Sequence, residues 1–202
     1  MAKSTSYKLQ AIQKKENRAT IIDAAMQVFA ETGIGEATIR DIIKRSGLAA
    51  GTFYNHFKGK EEIVESILGR LIWKMEKSIV RVRRRAKTPH EYLSGSIHSL
   101  LSTFTAEPLV HQLVARNQDA IRKIRAAQSV TFFYKRNEVD LKNAMDAGLL
   151  PLVPVEYLNI VLFGIAFELL DYLKDKEDFD IKRLSDDMAR LVLDGLVGLQ
   201  TT

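Results

Sequence analysis

The feature that most constrains the fold of this chain is helical periodicity along almost its whole length. Apolar residues recur at spacings of three and four, and no segment shows the apolar–polar alternation that is typical of a half-buried strand. The four prolines, Pro89, Pro108, Pro151 and Pro154, all fall at predicted helix boundaries, where proline does not interrupt backbone hydrogen bonding. The pattern therefore predicts an all-α protein of about nine helices.

Local capping signals set the expected helix boundaries. Thr38 with Asp41 three residues later has the arrangement of a capping box, and Thr88-Pro89-His90-Glu91 has a threonine cap with proline in the first turn. Gly33, Gly47 and Gly148 are expected left-handed helix stops. The expected helices cover about 9–32, 39–45, 49–57, 61–85, 89–105, 108–117, 118–147, 154–174 and 181–199.

Composition and motifs exclude several functional classes. The 202 residues contain no cysteine, which excludes disulfides, thiolate metal sites and cysteine nucleophiles. The sequence also lacks the Glu-x-x-His pair of di-iron bundles, the His-Glu-x-x-His motif, a glycine-rich phosphate loop and the Gly-x-Ser-x-Gly elbow. We therefore expect no enzyme activity, no metal and no cofactor.

The densest apolar run, 160–167, is too short for a membrane span, and residues 1–10 do not form a secretory signal. We therefore expect a cytoplasmic protein.

The net charge of +5 is concentrated at one end of the chain. Residues 1–60 contain ten Lys or Arg and five Asp or Glu, whereas residues 61–202 contain twenty of each kind. A basic end on a neutral body is typical of a module that binds a polyanion such as nucleic acid. The alternative is a chance distribution of surface lysines, and charge alone does not decide between the two.

Two short predicted helices separated by Ser46-Gly47-Leu48 have the geometry of a helix-turn-helix. The first helix is expected to pack its isoleucines inward and to cross the DNA backbone. The second is expected to lie in the major groove, where its small and polar side chains reach base edges while Phe53 and Phe57 anchor it to the core. The candidate DNA-binding residues are Thr38, Arg40, Ala49, Ala50, Gly51, Thr52, Tyr54, Asn55, His56 and Lys60.

Several of these residues also have a purely structural explanation. Thr38 caps its helix whether or not it contacts a phosphate, and Tyr54 can pack instead of facing DNA. Tyr54, His56 and Lys60 are better placed for phosphates, which position a protein without specifying sequence.

The lysines before residue 16 form either an arm on the DNA or a solvated tail. The basic run 81–87 is either a second DNA contact or a solvated helix end, where cations suit the helix dipole.

Residues 18–63 resemble the DNA-binding domain of the TetR family of bacterial regulators. The matching residues are Ala24, Ala25, Phe29, Gly33, Thr38, Ile39, Ile42, Gly47, the run 51–57 and Lys60-Glu61. The resemblance implies a helix-turn-helix domain over 1–60 and a helical effector-binding and dimerisation domain over 61–202. It further implies a homodimer joined by the last two helices, an inverted-repeat operator in double-stranded DNA, and release by a small molecule.

The predicted body contains candidate sites for the effector and for the partner subunit. Apolar and aromatic residues on three helices form either ordinary core or an apolar cavity, and three polar groups among them can orient a ligand. The candidate effector contacts are His98, Leu101, Phe104, His111, Phe132, Phe133, Phe163, Phe167 and Glu168. The eighth helix is apolar nearly all round, which indicates core on one face and a partner on another. The candidate dimer contacts are Leu158, Leu162, Ile165, Leu169, Leu184, Met188, Leu191 and Gly195.

The leading hypothesis is therefore a ligand-responsive, sequence-specific transcriptional regulator, a repressor released by an apolar, aromatic or amphipathic effector. Activation instead of repression stays open, because the sign of regulation depends on operator position. A non-specific architectural protein is the main alternative, but it would place Lys or Arg where this chain has Ala-Ala-Gly-Thr over 49–52. A helical enzyme is a third class, which no motif supports.

Overall fold

The computed structural model describes residues 2–117, 128–176 and 178–197, and all regular secondary structure in these ranges is helical. The prediction of an all-α fold is confirmed. The described ranges form nine helices: α1 (Ala2–Thr32), α2 (Ile39–Ser46), α3 (Ala50–Tyr54), α4 (Lys60–Arg83), α5 (Pro89–Thr105), α6 (Pro108–Arg116), α7 (Gln128–Asp146), α8 (Val155–Leu173) and α9 (Ile181–Val197).

The local signals at the helix ends are confirmed. The Thr38 hydroxyl accepts a hydrogen bond from the backbone N–H of Asp41 at 3.2 Å, and the Asp41 carboxylate accepts one from the backbone N–H of Thr38 at 3.0 Å. This reciprocal capping box satisfies two backbone donors that the start of α2 would otherwise leave open. The three predicted glycine stops have left-handed φ angles, 90° at Gly33, 68° at Gly47 and 72° at Gly148.

The structure differs from the predicted helices most clearly in two places. α1 begins at Ala2 instead of near residue 9, because residues 2–8 contain no helix breaker. The prediction that the third helix reaches Phe57 was wrong: His56 N–H bonds Phe53 O, only three residues back, so the chain tightens and leaves the helix after Tyr54. The described part of the predicted 118–147 helix begins at Gln128, and residues 118–127 lie outside the described residues.

One hydrophobic cluster continues from the first three helices into the body. Phe29 on α1 and Phe53 on α3 are fully buried in this cluster, and so are Leu101 on α5 and Leu173 on α8. A second cluster joins α5, α7, α8 and α9, and a small third one joins α4 to α7. The predicted domain boundary at 60/61 falls in the first turn of α4, and the same cluster contains Phe57 before the boundary and Ile63 after it.

α4 is the central helix of the described structure. Its 24 residues extend about 36 Å and pack against α1, α5 and α7. The buried side chains along it are Ile63, Val64, Ile67, Leu68, Leu71, Met75 and Ile79. Within the described ranges, no helix is both long and apolar enough to cross a membrane, and no group of three His, Cys, Asp or Glu residues is arranged to hold a metal ion.

Two glycine-to-alanine substitutions are expected to change stability in opposite directions. Gly47→Ala forces a Cβ into the left-handed conformation and should lower the free energy of unfolding by about 1–2 kcal/mol. Gly51→Ala lies within α3 with no atom within 4 Å of the added Cβ, so better helix propensity should raise it by about 0.5–1 kcal/mol. Urea denaturation of the purified variants measures both values, and shifts of the same sign would contradict this account of the turn.

Candidate nucleic-acid interface and internal cavity

The outer face of α3 consists of small and polar groups. Of the predicted DNA-binding residues, Thr38, Arg40, Ala49, Ala50, Gly51, Tyr54 and Asn55 are exposed, and Thr52, His56 and Lys60 are half-buried. On the opposite face, Phe53 and Phe57 are buried with ring centroids 6.2 Å apart. The Tyr54 ring packs edge-on against Phe53 at 5.3 Å but stays 59% exposed. The interpretation of Tyr54 as a packing residue is therefore not supported.

α2 is held against α1 by an arginine that the sequence analysis did not assign. The Arg45 guanidinium donates to both carboxylate oxygens of Glu31, at 2.8 and 2.6 Å, and to Gln27 Oε1 at 3.2 Å. The hydrogen bond from Arg45 lowers the pKa of the Glu31 carboxyl from its ordinary value. Because the three residues are exposed, this contact orients α2 more than it stabilises the fold.

Lys60 has a structural contact that sequence reasoning missed. Its ammonium donates to the backbone oxygens of Gly35 at 3.0 Å and Ala37 at 2.9 Å, in the turn that leads into α2. The first residue of α4 is thereby tied to the start of the helix-turn-helix. An ammonium has three donors, so the predicted phosphate contact of Lys60 remains compatible with this arrangement and stays a prediction.

The beginning of α1 places basic side chains beside the end of α3. Burial lowers the pKa of the His56 imidazole, and the positive charges of Lys14 and Arg18 lower it further. The Arg18 guanidinium lies 4.8 Å from the centroid of the Phe57 ring and donates to Ser66 Oγ at 2.8 Å. The segment before residue 16, for which the sequence leaves open both an arm on the DNA and a solvated tail, is a continuation of α1, and its Lys14 is close enough to act on the His56 imidazole.

A helix-turn-helix with an exposed, small-residue second helix, flanked by basic groups and carried on a helical body, defines the class of DNA-binding transcriptional regulators. Residues 21–67 match the family described as bacterial regulatory proteins, tetR family. The chain belongs to the TetR family, and it is a DNA-binding transcriptional regulator. The expectation that it is not an enzyme is confirmed by this membership.

Relatives over the whole chain agree with this assignment. The chain is 26% identical to the HTH-type transcriptional regulator AcrR of Shigella flexneri, over 96% of this chain and 93% of that one. It is 30% identical to the HTH-type transcriptional repressor KstR2 of Mycobacterium tuberculosis, over 66% of each chain. Its fold is similar to that of FadR from Bacillus subtilis, solved in complex with stearoyl-CoA, with a TM-score of 0.71, 23% identity, and coverage of 88% of this chain and 98% of that one.

The body contains a partly open cavity of about 120 Å³ between α4, α5, α6, α7 and α8. Its wall is almost entirely apolar carbon. Four of the predicted effector residues line it: Phe104, Phe133, Phe163 and Phe167. The Phe163 ring is central among them, with its centroid 5.6 Å from that of Phe133 and 6.5 Å from that of Phe167.

The other five predicted effector residues lie outside this cavity. His98, Phe132 and Glu168 are exposed on the surface and do not line the cavity. Leu101 is fully buried in the main core, whereas its neighbour Leu100 lines the cavity. The ring of His111 is turned toward the backbone, with Nε2 3.1 Å from the oxygen of Leu173. Successive residues of a helix point about 100° apart. Periodicity can therefore identify a helix that borders the cavity and still select a side chain that does not face it.

The polar part of the cavity wall comes from three residues that the sequence analysis did not single out. Arg83 donates from Nε to Ser96 Oγ at 2.9 Å and from Nη2 to Asn137 Oδ1 at 2.7 Å. All three line the cavity, and burial lowers the pKa of the Arg83 guanidinium. The basic run 81–87 is thus divided: Arg83 is inside, while Arg81, Arg84, Arg85 and Lys87 are exposed. The spacing of Arg83 from Met75 and Ile79, four residues per step, was the available signal.

Asn117 joins the end of α6 to the turn after α1. Its amide nitrogen donates to Phe29 O at 3.1 Å and to Leu113 O at 2.7 Å, and its amide oxygen accepts from the backbone N–H of Ile34 at 2.6 Å. Because Leu113 also lines the cavity, α6 is a second connection between the cavity and the helix-turn-helix.

The predicted dimer contacts mostly pack within the protomer. Leu158 and Leu169 are buried, Leu191 and Gly195 are exposed, and Leu162, Ile165, Leu184 and Met188 pack against the protomer's own clusters. The exposed apolar residues of α8 lie one position away from the buried stripe. We call the exposed set the α8/α9 face: Tyr157, Ile160, Val161 and Tyr172 on α8, with Leu191 on α9.

The low pKa of His56 is open to direct measurement. A proton titration by NMR should place it below the ordinary value of 6.5, and Lys14→Gln should move it back toward that value, because one of the repelling charges is removed. His56 then contributes stability that is fully present above the ordinary pKa and is lost as pH falls through the lowered folded-state pKa. A value at or above 6.5 would exclude the proposed burial beside Lys14 and Arg18.

Proposed function

We propose that this protein is a homodimeric repressor that binds an inverted-repeat operator and is released by an amphipathic, largely apolar effector in the internal cavity. The observation that carries the proposal is the course of α4. This helix begins at Lys60, which holds the turn before α2, and its second half forms a wall of the cavity. Since repressors act on chromosomal DNA, the proposal also places the protein in the cytoplasm.

In the proposed DNA complex, α3 lies in the major groove. Gly51 and its alanine neighbours let the helix backbone approach the bases, and Thr52 reaches base edges or a thymine methyl group. Tyr54, His56 and Lys60 contact the phosphates, with Thr38 and Arg40 at the start of α2. The buried rings of Phe53 and Phe57 support this geometry because they fix the rotation of α3 about its own axis.

Two recognition helices are needed to read an inverted repeat, so the proposal requires a dimer. The α8/α9 face supplies the apolar surface, with Tyr157 62% exposed and Leu191 65% exposed in the protomer. Soluble monomers seldom expose several large apolar side chains along one helix, as α8 does. A two-fold dimer sets the two copies of α3 at the half-site spacing of about 34–36 Å, or a multiple of one DNA turn.

The size of the cavity supports a coupling between effector and DNA. Its volume of about 120 Å³ is smaller than the range of about 300–1,000 Å³ that is typical of small-molecule sites. We therefore expect an effector of ordinary size to displace α4, α6 or α8 as it fills the cavity. Displacement of α4 or α6 moves the helix-turn-helix through Lys60 or Asn117. The apolar wall and the stearoyl-CoA bound by the similar FadR favour an acyl-type chain.

The DNA-binding proposal is tested by selection from random duplexes, followed by fluorescence anisotropy at physiological salt. We expect an inverted repeat that binds about 10³-fold or more tightly than scrambled DNA. Tyr54→Ala and Gly51→Ala should each lower operator affinity about tenfold or more, because the first loses a phosphate contact and the second adds a Cβ at the bases.

Gly69→Ala is the matched control for Gly51→Ala. It makes the same change within a helix, on α4, where no atom lies within 4 Å of the added Cβ. It should leave operator affinity unchanged. If the selection enriched no inverted repeat, and all duplexes bound equally, the protein would be a non-specific nucleic-acid-binding protein instead.

The dimer proposal is tested by sedimentation of wild type and two glutamate variants. Val161→Glu puts a charge in the middle of the exposed stripe of α8 and should convert a dimer into monomers at micromolar concentration. Trp73→Glu changes an apolar residue on α4 that is more exposed than Val161 and away from the α8/α9 face, and it should leave the dimer intact. A wild-type monomer, or dissociation by Trp73→Glu alone, would show that this face is not the interface.

A further inference from the structure

The wall of the cavity, although almost entirely apolar carbon, includes one buried cation. Arg83 is the last residue of α4, and only 9% of its side chain is exposed. Its guanidinium is hydrogen-bonded to Ser96 on α5 and to Asn137 on α7, and these three residues line the same cavity as the phenylalanines. An arginine remains charged at any pH at which a protein is folded, so the cavity wall carries a permanent positive charge.

Among the described residues, one partly exposed carboxylate, that of Asp140, forms an ion pair with Arg83. Its contacts at hydrogen-bond distance are neutral oxygens of a serine and an amide, and the face of the Tyr92 ring lies 4.7 Å from the guanidinium carbon. The carboxylate that faces it is that of Asp140, 3.5 Å away and 35% exposed. Hydrogen bonds to an ionised acceptor are stronger than those to neutral acceptors, so the buried guanidinium favours a closer anion.

The polar groups around Arg83 are themselves held in place from outside the cavity. The Asn137 amide nitrogen donates to Asn159 Oδ1 at 2.8 Å, and the Asn159 amide nitrogen donates to Tyr134 O at 3.2 Å. Ser96 Oγ donates to the backbone oxygen of Tyr92 at 2.6 Å. The guanidinium therefore has a fixed orientation, which is what a recognition site for a planar carboxylate requires.

We propose that Arg83 binds the carboxylate of an amphipathic acid whose apolar chain occupies the phenylalanine side of the cavity. This inference rests on the proposed function of the cavity as the effector site. The incoming carboxylate takes the place of a neutral acceptor on the guanidinium and competes with Asp140, whose carboxylate is 3.5 Å away. Because Arg83 ends the helix that Lys60 begins, the same ion pair acts on the helix that leads to the DNA-binding surface.

Pairs of ligands that differ only in the head group test this assignment. Calorimetry on the purified full chain at neutral pH compares the straight-chain acids from hexanoate to hexadecanoate with the primary alcohols of the same lengths. For the acid that binds best, we expect wild type to prefer it over its alcohol by about tenfold or more. In Arg83→Gln this preference should fall close to one, with the affinity for the alcohol within about threefold of wild type.

Two further variants separate charge recognition from a structural role of Arg83. Asp140→Asn removes the competing carboxylate from a partly exposed position and should strengthen binding of the acid while leaving the alcohol unchanged. Leu100→Ala enlarges the apolar wall and should change the affinities for acid and alcohol by the same factor. Thermal melting identifies any variant that does not fold, and Asp140→Asn tests the proposal without altering Arg83.

The binding results distinguish a failure of the role of Arg83 from a failure of the proposed effector site. Equal binding of acid and alcohol by wild type, an acid preference that survives in Arg83→Gln, or no gain in Asp140→Asn would overturn the role of Arg83, although the apolar cavity would still be an effector site. If none of the acids or alcohols bound to wild type, the proposed acyl-type effector would be wrong, and the carboxylate site with it.

Discussion

The rest of the structure depends on α4, one continuous helix that is buried both beneath the helix-turn-helix and beside the cavity. Its first turns complete the core beneath α2 and α3, and its later turns form a wall of the cavity. A continuous helix with packed sides moves as a rigid element, because each backbone hydrogen bond ties one turn to the next. Both ends hold a cation in a defined contact, Lys60 on backbone oxygens and Arg83 in a polar cluster. Position at one end is therefore linked to position at the other.

α6 provides a second connection between the cavity and the helix-turn-helix, in addition to α4. Asn117 bonds the backbone of α6 to that of the turn after α1, and α6 also borders the cavity. The cluster that contains Phe29 and Phe53 continues into the body without a linker. Packed interiors have low compressibility and transmit strain, so we expect a displacement at the cavity to change the orientation of the helix-turn-helix.

α8 brings the cavity and the α8/α9 face together. Leu162, Phe163 and Phe167 line the cavity, while Tyr157 and Tyr172 of the same helix are exposed on its other side. In the proposed dimer, a ligand that displaces α8 also changes the surface against which the partner packs. The separation of the two copies of α3 then responds to the effector through the dimer as well as through α4 and α6.

The sequence by itself determined the helices, the turn and the two aromatic anchors of α3, because caps, glycine stops and 3.6-residue periodicity are local effects within a few residues. Tertiary structure decided which side chains share a site. Leu100 lines the cavity and Leu101 does not, and Arg83 is inside a run of otherwise exposed cations. Asn117 reaches Phe29, 88 residues away in the chain. Such choices depend on the rotation of each helix against its neighbours, and that rotation is set by the packing of distant segments, which no local pattern records.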